Sequence, residues 1–152
     1  MRTSASRSFG VMTIVSLWLM APAEASAPVG QYTISNGTVY DTRTKLTWQQ
    51  NAPSTEYSWS EAKAYCAGTG ASLPGTGWRV PTIKELQSIV DDTTWGPAID
   101  KTAFPATAAG YYWSSSPRAR TSSSVWVINF SQGDWVAYDV TLAYAFNVRC
   151  VR

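Results

Sequence analysis

The sequence contains no histidine and only two cysteines, and these shortages exclude several kinds of site. Histidine is the side chain that titrates nearest to neutral pH, so the usual general base of an enzyme is missing. A structural zinc site needs four cysteine or histidine ligands in most cases, and is disfavoured for the same reason. The remaining acid–base candidates are the carboxylates of Asp91, Asp92, Asp134 and Asp139. Adjacent Asp91 and Asp92 are typical of solvated loop residues, so we expect no enzyme activity.

A strong excess of charge of either sign is also absent. The chain has 12 Lys and Arg against 10 Asp and Glu, and its net charge is near zero once the N-terminal residues are set aside. This balance makes nucleic acid and anionic membranes poor partners. No later segment is long and apolar enough to span a bilayer, so we expect no membrane span in the mature chain. No residue pattern predicts a cofactor.

The N-terminus has the pattern of a secretory signal peptide. Arg2 and Arg7 lie in a polar segment, and residues 11–20 form an apolar run that is short for a membrane span. Small residues follow this run, as cleavage requires. The pattern predicts export to the periplasm, the cell surface or the extracellular medium, and an uncleaved N-terminal anchor is the alternative.

Ala23 and Ala25 stand at the positions that the cleavage rule requires. We therefore expect residues 1–25 to be removed, which leaves residues 26–152 as a single domain of ordinary size. Cleavage after Ala27 is less favoured because a proline would follow.

Cys66 and Cys150 form an even pair in a chain that we expect to be exported, which predicts a disulfide. The closed loop is long, so the chain-entropy argument gives about 4 kcal/mol of stabilisation.

Two capping boxes predict two short helices. Ser58 and Glu61 have the spacing of the first, which opens a helix that ends at Ala67 before Gly68. A second box starts a helix that carries an apolar stripe and fades near Asp91.

The second box lies in the most sharply specified stretch of the chain, Gly77 to Leu86. Trp78 and Val80 are typical of an extended segment, and Pro81 disfavours the helical conformation at the residue before it. Thr82 and Glu85 supply the box. The following residues predict a structural corner: Trp78, Arg79, Pro81, Thr82 and Glu85.

Short strands account for most of the rest. An Asn36–Gly37 turn predicts an early hairpin, because both positions tolerate positive φ. The predicted strands are 31–34, 38–40, 45–49, 111–116, 125–130, 135–140 and 145–151. Residues 93–109 are expected to be irregular, and 117–124 to be a polar exposed loop. Two capped helices followed by mostly antiparallel strands indicate an α+β domain.

Five residues are candidate ligand contacts: Arg118, Arg120, Asp134, Trp135 and Tyr138. The two arginines form a fork suited to sulfate or carboxylate, and the two aromatic rings suit stacking on a sugar. The alternatives are a solvated loop for the arginines and core packing for the aromatic residues.

Arg79 and Arg149 each lie between apolar residues in strand-like segments, so we expect partly buried charges with structural partners. The spacing offers Glu85 or Glu61 as the partner of Arg79.

Five segments together resemble one known family: Gly37–Trp48, Gly77–Leu86, Tyr112–Ser116, Val125–Phe130 and Asn147–Arg152. This is the bacterial domain family of unknown function that includes the C-terminal domain of the collagen-like adhesin Lcl. The resemblance covers nearly all of the mature chain, in order.

The resemblance implies a fold related to C-type lectins and to the formylglycine-generating enzyme, with a mostly antiparallel, twisted sheet. In such folds the N- and C-terminal strands pair and two helices flank the sheet. No collagen-like repeat is present, so trimerisation through a stalk is not implied. The calcium-binding triplets of C-type lectins, Glu-Pro-Asn, Gln-Pro-Asp and Trp-Asn-Asp, are also absent.

The resemblance also favours a secreted or cell-surface recognition or adhesion domain without enzyme activity. Extracellular polysaccharide or another surface protein is the expected partner. A structural or assembly component of the envelope or of a pilus is the alternative. An enzyme of the formylglycine-generating type is the least favoured, because it depends on reactive thiols.

Overall fold

The computed structural model describes residues 27–152, so the predicted signal peptide and its cleavage site lie outside the described residues. The elements are β1 (Tyr32–Ser35), β2 (Thr38–Asp41), β3 (Thr47–Gln49), α1 (Trp59–Ala67), α2 (Ile83–Gln87), β4 (Tyr111–Arg118), β5 (Thr121–Asn129) and β6 (Asp134–Asp139). The strands form two sheets, ordered β1-β2-β3 and β4-β5-β6, and all neighbours are antiparallel. The α+β class is confirmed, with two three-stranded sheets instead of one.

The turn between β1 and β2 follows the sequence expectation. Asn36 and Gly37 have φ values of 50° and 74°, the left-handed conformations that a two-residue hairpin turn needs. Strand β3 begins later than predicted, because Lys45 also has a positive φ of 63° and its N–H donates to the carbonyl of Asp41. Lys45 therefore belongs to a turn.

Both capping boxes are present. The side chains of Ser58 and Thr82 accept from the amides of Glu61 and Glu85, and both glutamates reach back to the cap amide. Helix α2 ends at Gln87, earlier than the apolar stripe suggested. Leu86 and Ile89, at the centre of this apolar stripe, are nevertheless buried. A turn after the helix keeps Ile89 on the side of the core.

The hairpin β4–β5 corrects the prediction of an exposed loop at residues 117–124. Strand β4 runs to Arg118 and β5 starts at Thr121. The pairing shifts register around Pro117, which lies opposite Val125. Proline cannot donate to a ladder, so such an irregularity is where a strand tolerates it.

The C-terminal segment 145–151 is not the continuous strand that we predicted. It instead makes separate bridges to different partners: Phe146 with Tyr57, Asn147 with Tyr112, and Val151 with both Trp48 and Arg79. The first strand, β1, pairs with β2, and it is Trp48 in β3 that bridges to Val151 of the C-terminal segment. Because Trp48 belongs to one sheet and Tyr112 to the other, the segment joins the two sheets.

Apolar side chains pack in two clusters, one on each face of the β4-β5-β6 sheet. Strand β5 is buried on both faces, with Val127 in one cluster and Ile128 in the other. It is therefore not the half-buried strand that its alternation suggested. The C-terminal segment alternates in the same way, with Val148 in one cluster and Val151 in the other.

The disulfide between Cys66 and Cys150 is present, with α-carbons 5.5 Å apart. It links helix α1 to the C-terminal segment. Both residues are fully buried, so the bond lies inside the second cluster.

The two arginines that we expected to be partly buried differ from each other. Arg79 pairs with Glu85, and its side chain is 46% exposed. Arg149 is fully buried and donates to the carbonyls of Gln49 and Gln50 and to the hydroxyl of Thr107. Burial lowers the pKa of Arg149 to about 10. Its partners are dipoles rather than a carboxylate.

Candidate functional site

Exposed tryptophans distinguish one end of the molecule. Trp48, Trp78 and Trp113 are buried, whereas Trp95 and Trp135 are 69% and 54% exposed. Burying an aromatic side chain is a large favourable term in folding, so a chain that leaves two tryptophans in solvent forgoes that stabilisation. Tryptophan is also among the side chains that most often anchor a bound partner, so both residues are candidate contacts.

Strand β6 fixes the position of Trp135. Trp135 lies opposite Ile128 on β5, on the face of the sheet that carries α2. The rings of Trp126 and Trp135 meet edge to face, with centroids 5.1 Å apart and planes at 77°. The Trp126 ring thus supports one side of the Trp135 indole, while much of the indole faces solvent.

A small groove adjoins this indole. It has a volume of about 230 Å³ and is lined by Gln87, Val90, Asp92, Gly133 and Trp135; we call it the Trp135 groove. Gln87 and Asp92 are both exposed. The groove thus combines an aromatic surface with an amide and a carboxylate, that is, apolar contact area beside a few hydrogen-bonding groups, as small-ligand sites do.

The turn between β5 and β6 closes one side of the groove. Gly133 has a φ of 81°, a conformation that glycine adopts without steric cost. A Cβ atom at this position would lie 3.4 Å from a carboxylate oxygen of Asp92. The absence of a side chain at Gly133 therefore lets the turn approach Asp92.

Trp95 belongs to a loop that packs on this same turn. The N–H of Gly96 donates to the carbonyl of Ser131 at 3.2 Å, and the N–H of Ala98 donates to the carbonyl of Phe130 at 2.6 Å. The loop is therefore held against the end of β5. Of the two aromatic residues in the irregular segment 93–109, Phe104 is fully buried, whereas Trp95 is exposed.

Arg118 and Arg120 lie at the other end of the sheet. Arg118 is the last residue of β4, and Arg120 lies in the β4–β5 turn with a φ of 69°. The nine residues of β5 separate this turn from the β5–β6 turn, a span of roughly 27 Å. Within residues 27–152 neither arginine forms an ion pair. The structure therefore does not bring these arginines and Trp135 into one site.

Tyr138 does not share a surface with Trp135 either. Side chains alternate along a strand, so residues three apart lie on opposite faces. Tyr138 packs against Tyr111, Tyr144 and Phe146, with centroids 4.8 to 5.3 Å away. The hydroxyl interaction with Tyr111, followed by burial, raises the pKa of Tyr138 to about 12.

The predicted carboxylate candidates are also spread out. Asp134 and Asp139 begin and end β6, which places them about 17 Å apart. The amide and hydroxyl of Thr141 donate to Asp139 and lower the pKa of that carboxyl. Asp139 therefore serves a turn.

Asp91 and Asp92 are adjacent and both line a depression beside Tyr32 and Arg43, but only Asp92 also lines the Trp135 groove. Asp91 accepts from the amide and hydroxyl of Thr93, whereas Asp92 lines the Trp135 groove. No group of three or more acidic, cysteine or histidine residues within 27–152 is arranged to hold a metal ion.

A second depression, of about 300 Å³, lies between residues 27–32 and the residues that follow α2. Tyr32, Arg43, Asp91 and Asp100 are among its lining residues. Arg43 donates to the carbonyl of Ser88 at 2.7 Å. Burial, followed by the nearby Asp41, raises the pKa of Tyr32 to about 12.

A third depression, of about 440 Å³, is lined by residues between 66 and 78. Small residues and backbone form most of its wall, and Trp78 within it is buried. Its lining has no ionisable side chain that can titrate, since Cys66 is in the disulfide. It offers less specific chemistry than the Trp135 groove.

Sequence reasoning identified Trp135 but missed Gln87 and Gly133 as parts of a site. The sequence pattern favoured a solvated loop for Asp92 and gave no specific role to Trp95. The only available signal was the density of Gly, Asp and Trp in segments 91–98 and 131–135. No local pattern states that these two segments touch.

Comparison with known families identifies the chain. The family model described as "Lcl C-terminal domain" matches residues 37–152. The match covers more than half of the chain, so the chain belongs to this family, as the sequence motifs predicted. No curated protein shows a significant match to it.

The family is associated with an adhesin and is not a known enzyme family, which fits a non-enzymatic role at a surface. The disulfide fits an extracellular location, and no helix within residues 27–152 is long and apolar enough to cross a membrane.

Proposed function

We propose that this Lcl C-terminal domain is an exported recognition domain that binds extracellular polysaccharide at the Trp135 groove. The observation that carries the proposal is the 54% exposed indole of Trp135, which the Trp126 ring supports on one side, beside Asp92 and Gln87. An exposed aromatic ring that is supported on one side loses little conformational entropy when a ligand binds.

Each groove residue has a distinct task in this proposal. Trp135 presents apolar ring surface to the C–H face of a sugar. The carboxylate of Asp92 accepts hydrogen bonds from hydroxyls, and the amide of Gln87 both donates and accepts. A hydrogen bond to a charged acceptor contributes more than a neutral one, so Asp92 sets the orientation of the ring.

The proposal is tested by a glycan array on the purified mature domain, followed by titration of the strongest ligands. Trp135→Ala should weaken binding about tenfold or more, because truncating a central aromatic anchor to alanine typically costs about 2 kcal/mol or more, and about 1.4 kcal/mol corresponds to tenfold. Leu142→Ala is the matched control, since Leu142 is equally exposed but lies beyond β6, outside the groove lining. An array without any Trp135-dependent binding would remove the proposal.

Arg118 and Arg120 remain a separate proposed contact for sulfate or carboxylate groups. Both are exposed at the tip of the β4–β5 hairpin, where a charged ligand meets no steric barrier. Their double substitution by alanine should abolish any salt-sensitive binding of anionic glycans and leave the groove unaffected. Asp134 and Tyr138 have structural neighbours but no place in the groove lining.

A role in assembling the envelope or a pilus is the second candidate. Val136, Leu142 and Tyr144 are exposed near β6, and β6 is an edge strand of its sheet. Apolar side chains beside an unpaired edge are typical of a surface that pairs with another chain. Cross-linking in intact cells, with Leu142→Asp as the variant, distinguishes this role because groove binding should survive that change.

We also propose the finer assignments of domain and fold. Cleavage after Ala25 would release residues 26–152 as one secreted domain, and N-terminal sequencing of the exported protein tests this. The two capped helices and the pairing of Val151 with β3 support a C-type-lectin-like arrangement. An experimentally determined structure, superposed on C-type lectins, tests the fold assignment.

A further inference from the structure

We infer that the Trp135 groove takes an extended, uncharged glycan chain, with Trp135 and Trp95 as two stacking positions on either side of the β5–β6 turn. The inference rests on the proposed function and adds the charge and the length of the ligand.

The charge of the ligand follows from the groove lining. Asp92 is the only ionisable residue among the five that line it. A sulfate or carboxylate group in the groove would meet this like charge without a cation in the lining to offset it. Arg118 and Arg120 are roughly 27 Å away along β5, which is about three times the Debye length at physiological ionic strength. They therefore cannot offset that repulsion.

The single carboxylate of Asp92 does not require a cationic ligand, such as a sugar with a protonated amine, either. One carboxylate and one amide are enough to satisfy the hydroxyls of a neutral ring, and a carboxylate can accept from two of them. Asp91, which precedes Asp92, and Asp134, which precedes Trp135, both lie outside the lining. The groove is thus not a multiply acidic site of the kind that selects cations.

The length of the ligand follows from the position of Trp95. The hydrogen bond from Gly96 to Ser131 joins the Trp95 loop to the β5–β6 turn. Gly96 is one residue from Trp95 in the chain, and Ser131 is four residues from Trp135. A chain extends at most about 3.6 Å per residue, so the two α-carbons lie within roughly 20–25 Å of each other. A single sugar ring covers one indole, whereas an oligosaccharide can contact both.

The backbone between these indoles is well supported. The amide of Ala98 bonds the end of β5, and the amide of Gly133 donates to the carbonyl of Asn129 at 2.8 Å. Binding therefore does not have to order the connecting turn. Once one sugar unit is bound at the first indole, the effective concentration of the next units at the second indole is raised. Affinity should rise steeply with chain length until both positions are filled.

The test is a titration of the intact mature domain with glucose, cellotetraose, mannotetraose and a heparin-derived tetrasaccharide. Isothermal calorimetry would be run in 0.05 M and in 0.5 M NaCl. The variants are Trp135→Ala, Trp95→Ala and Asp92→Asn, with Leu142→Ala as the exposed control and circular dichroism as the check on folding. We expect at least one uncharged tetrasaccharide to bind tenfold or more tightly than glucose, equally at both salt concentrations.

Trp95→Ala should remove this gain with length and leave the binding of the single sugar unchanged, whereas Trp135→Ala should weaken both. Asp92→Asn should improve any residual binding of the heparin fragment to the groove, because it removes the repelling charge and keeps the polar shape.

Three results would overturn the inference. Trp135-dependent binding of the heparin fragment that exceeds that of both uncharged tetrasaccharides would show that the charge class is wrong, and saccharide recognition would stand. Equal affinity for one and four units, or no effect of Trp95→Ala, would show that the ligand is not extended. No Trp135-dependent binding by any of the four probes would overturn both this inference and the proposed function.

Discussion

A Cβ atom on Gly133 would lie 2.9 Å from Cγ1 of Val90, closer than van der Waals contact allows. This relationship joins the β5–β6 turn to the residues that follow α2, and it sets the width of the Trp135 groove. Gly133 also has a φ of 81°, so two separate penalties apply to any side chain there.

Gly133→Ala should destabilise the domain by about 2–3 kcal/mol, measured by urea unfolding. Gly37→Ala is the matched control, because Gly37 has a similar φ of 74° but nothing within 4 Å of the added atom. Gly37→Ala should lower the free energy of unfolding only by the backbone strain, about 1–2 kcal/mol. Equal losses in the two variants would mean that the turn does not press against Val90.

The second prediction concerns Arg149. Arg149→Lys keeps a positive charge, but one ammonium cannot replace a guanidinium that reaches Gln49, Gln50 and Thr107 together. Carbonyls left without a partner in a buried site should lower the free energy of unfolding by about 3 kcal/mol. Arg79→Lys, at an exposed site, should cost under about 1 kcal/mol. A tolerated Arg149→Lys would contradict the buried network.

The third prediction concerns the ion pair of Arg79 with Glu85. The guanidinium donates to both carboxylate oxygens at 2.7 and 2.8 Å, and this contact is the main reason that the pKa of Glu85 is lowered. Arg79→Ala should reduce stability at pH 7 by about 0.5–1 kcal/mol, since the pair is partly exposed.

The pH dependence of that loss has a definite sign. The pKa of Glu85 is lower in the folded state than its ordinary value of 4.5. The stabilisation by the ionised carboxylate is therefore complete above pH 4.5, and it is lost as the pH falls through the pKa of the folded state. The difference in melting temperature between the wild type and Arg79→Ala should therefore shrink below pH 4.5. A difference that stays constant to pH 2 would show that Arg79 acts through packing alone.

The fourth prediction concerns alkaline stability and Tyr32. Burial raises the pKa of Tyr32 from 10.0 to about 12, so the folded state keeps the proton that the unfolded state loses. Stability should be complete below pH 10 and should fall between pH 10 and 12. Tyr32→Phe keeps the ring, including its edge contact with Phe104 at 5.3 Å, and should make this fall shallower. Unfolding by urea at pH 9, 10, 11 and 12 measures it, and an unchanged slope in the variant would contradict the assignment.

The fifth prediction concerns the disulfide. Cys66 and Cys150 are separated by 84 residues in sequence, so the double Cys→Ala variant should lose about 4 kcal/mol in the chain-entropy account. The native protein should show no titratable thiol under nondenaturing conditions and two after unfolding and reduction. Two titratable thiols in the native protein would reopen the possibility of thiol-dependent chemistry.

Local features of the sequence predicted local structure well. Both capping boxes and the Asn36–Gly37 turn rest on contacts between residues at most three positions apart, and all of them formed as expected. The disulfide followed from the parity of the cysteines and the expected export. The motifs that carried the family resemblance lie within the match at residues 37–152.

Predictions failed where a residue's surroundings come from distant segments. Residues 145–151 alternate as a strand does, yet they bridge to several partners because both sheets converge on them. Residues 117–124 are polar, yet most are paired strand, since backbone hydrogen bonding does not depend on side-chain polarity.

The sequence by itself determined the family, the two helix starts, the early turn and the cysteine pair, because each depends on near neighbours or on residue identity alone. Tertiary structure decided which candidate residues share a surface. It placed Arg118 and Arg120 at one end of β5 and Trp135 at the other, turned Tyr138 to the opposite face, and brought Asp92 and Gln87 to Trp135. The physical reason is that strand pairing and packing bring together segments that are far apart in the chain, and no local pattern encodes those contacts.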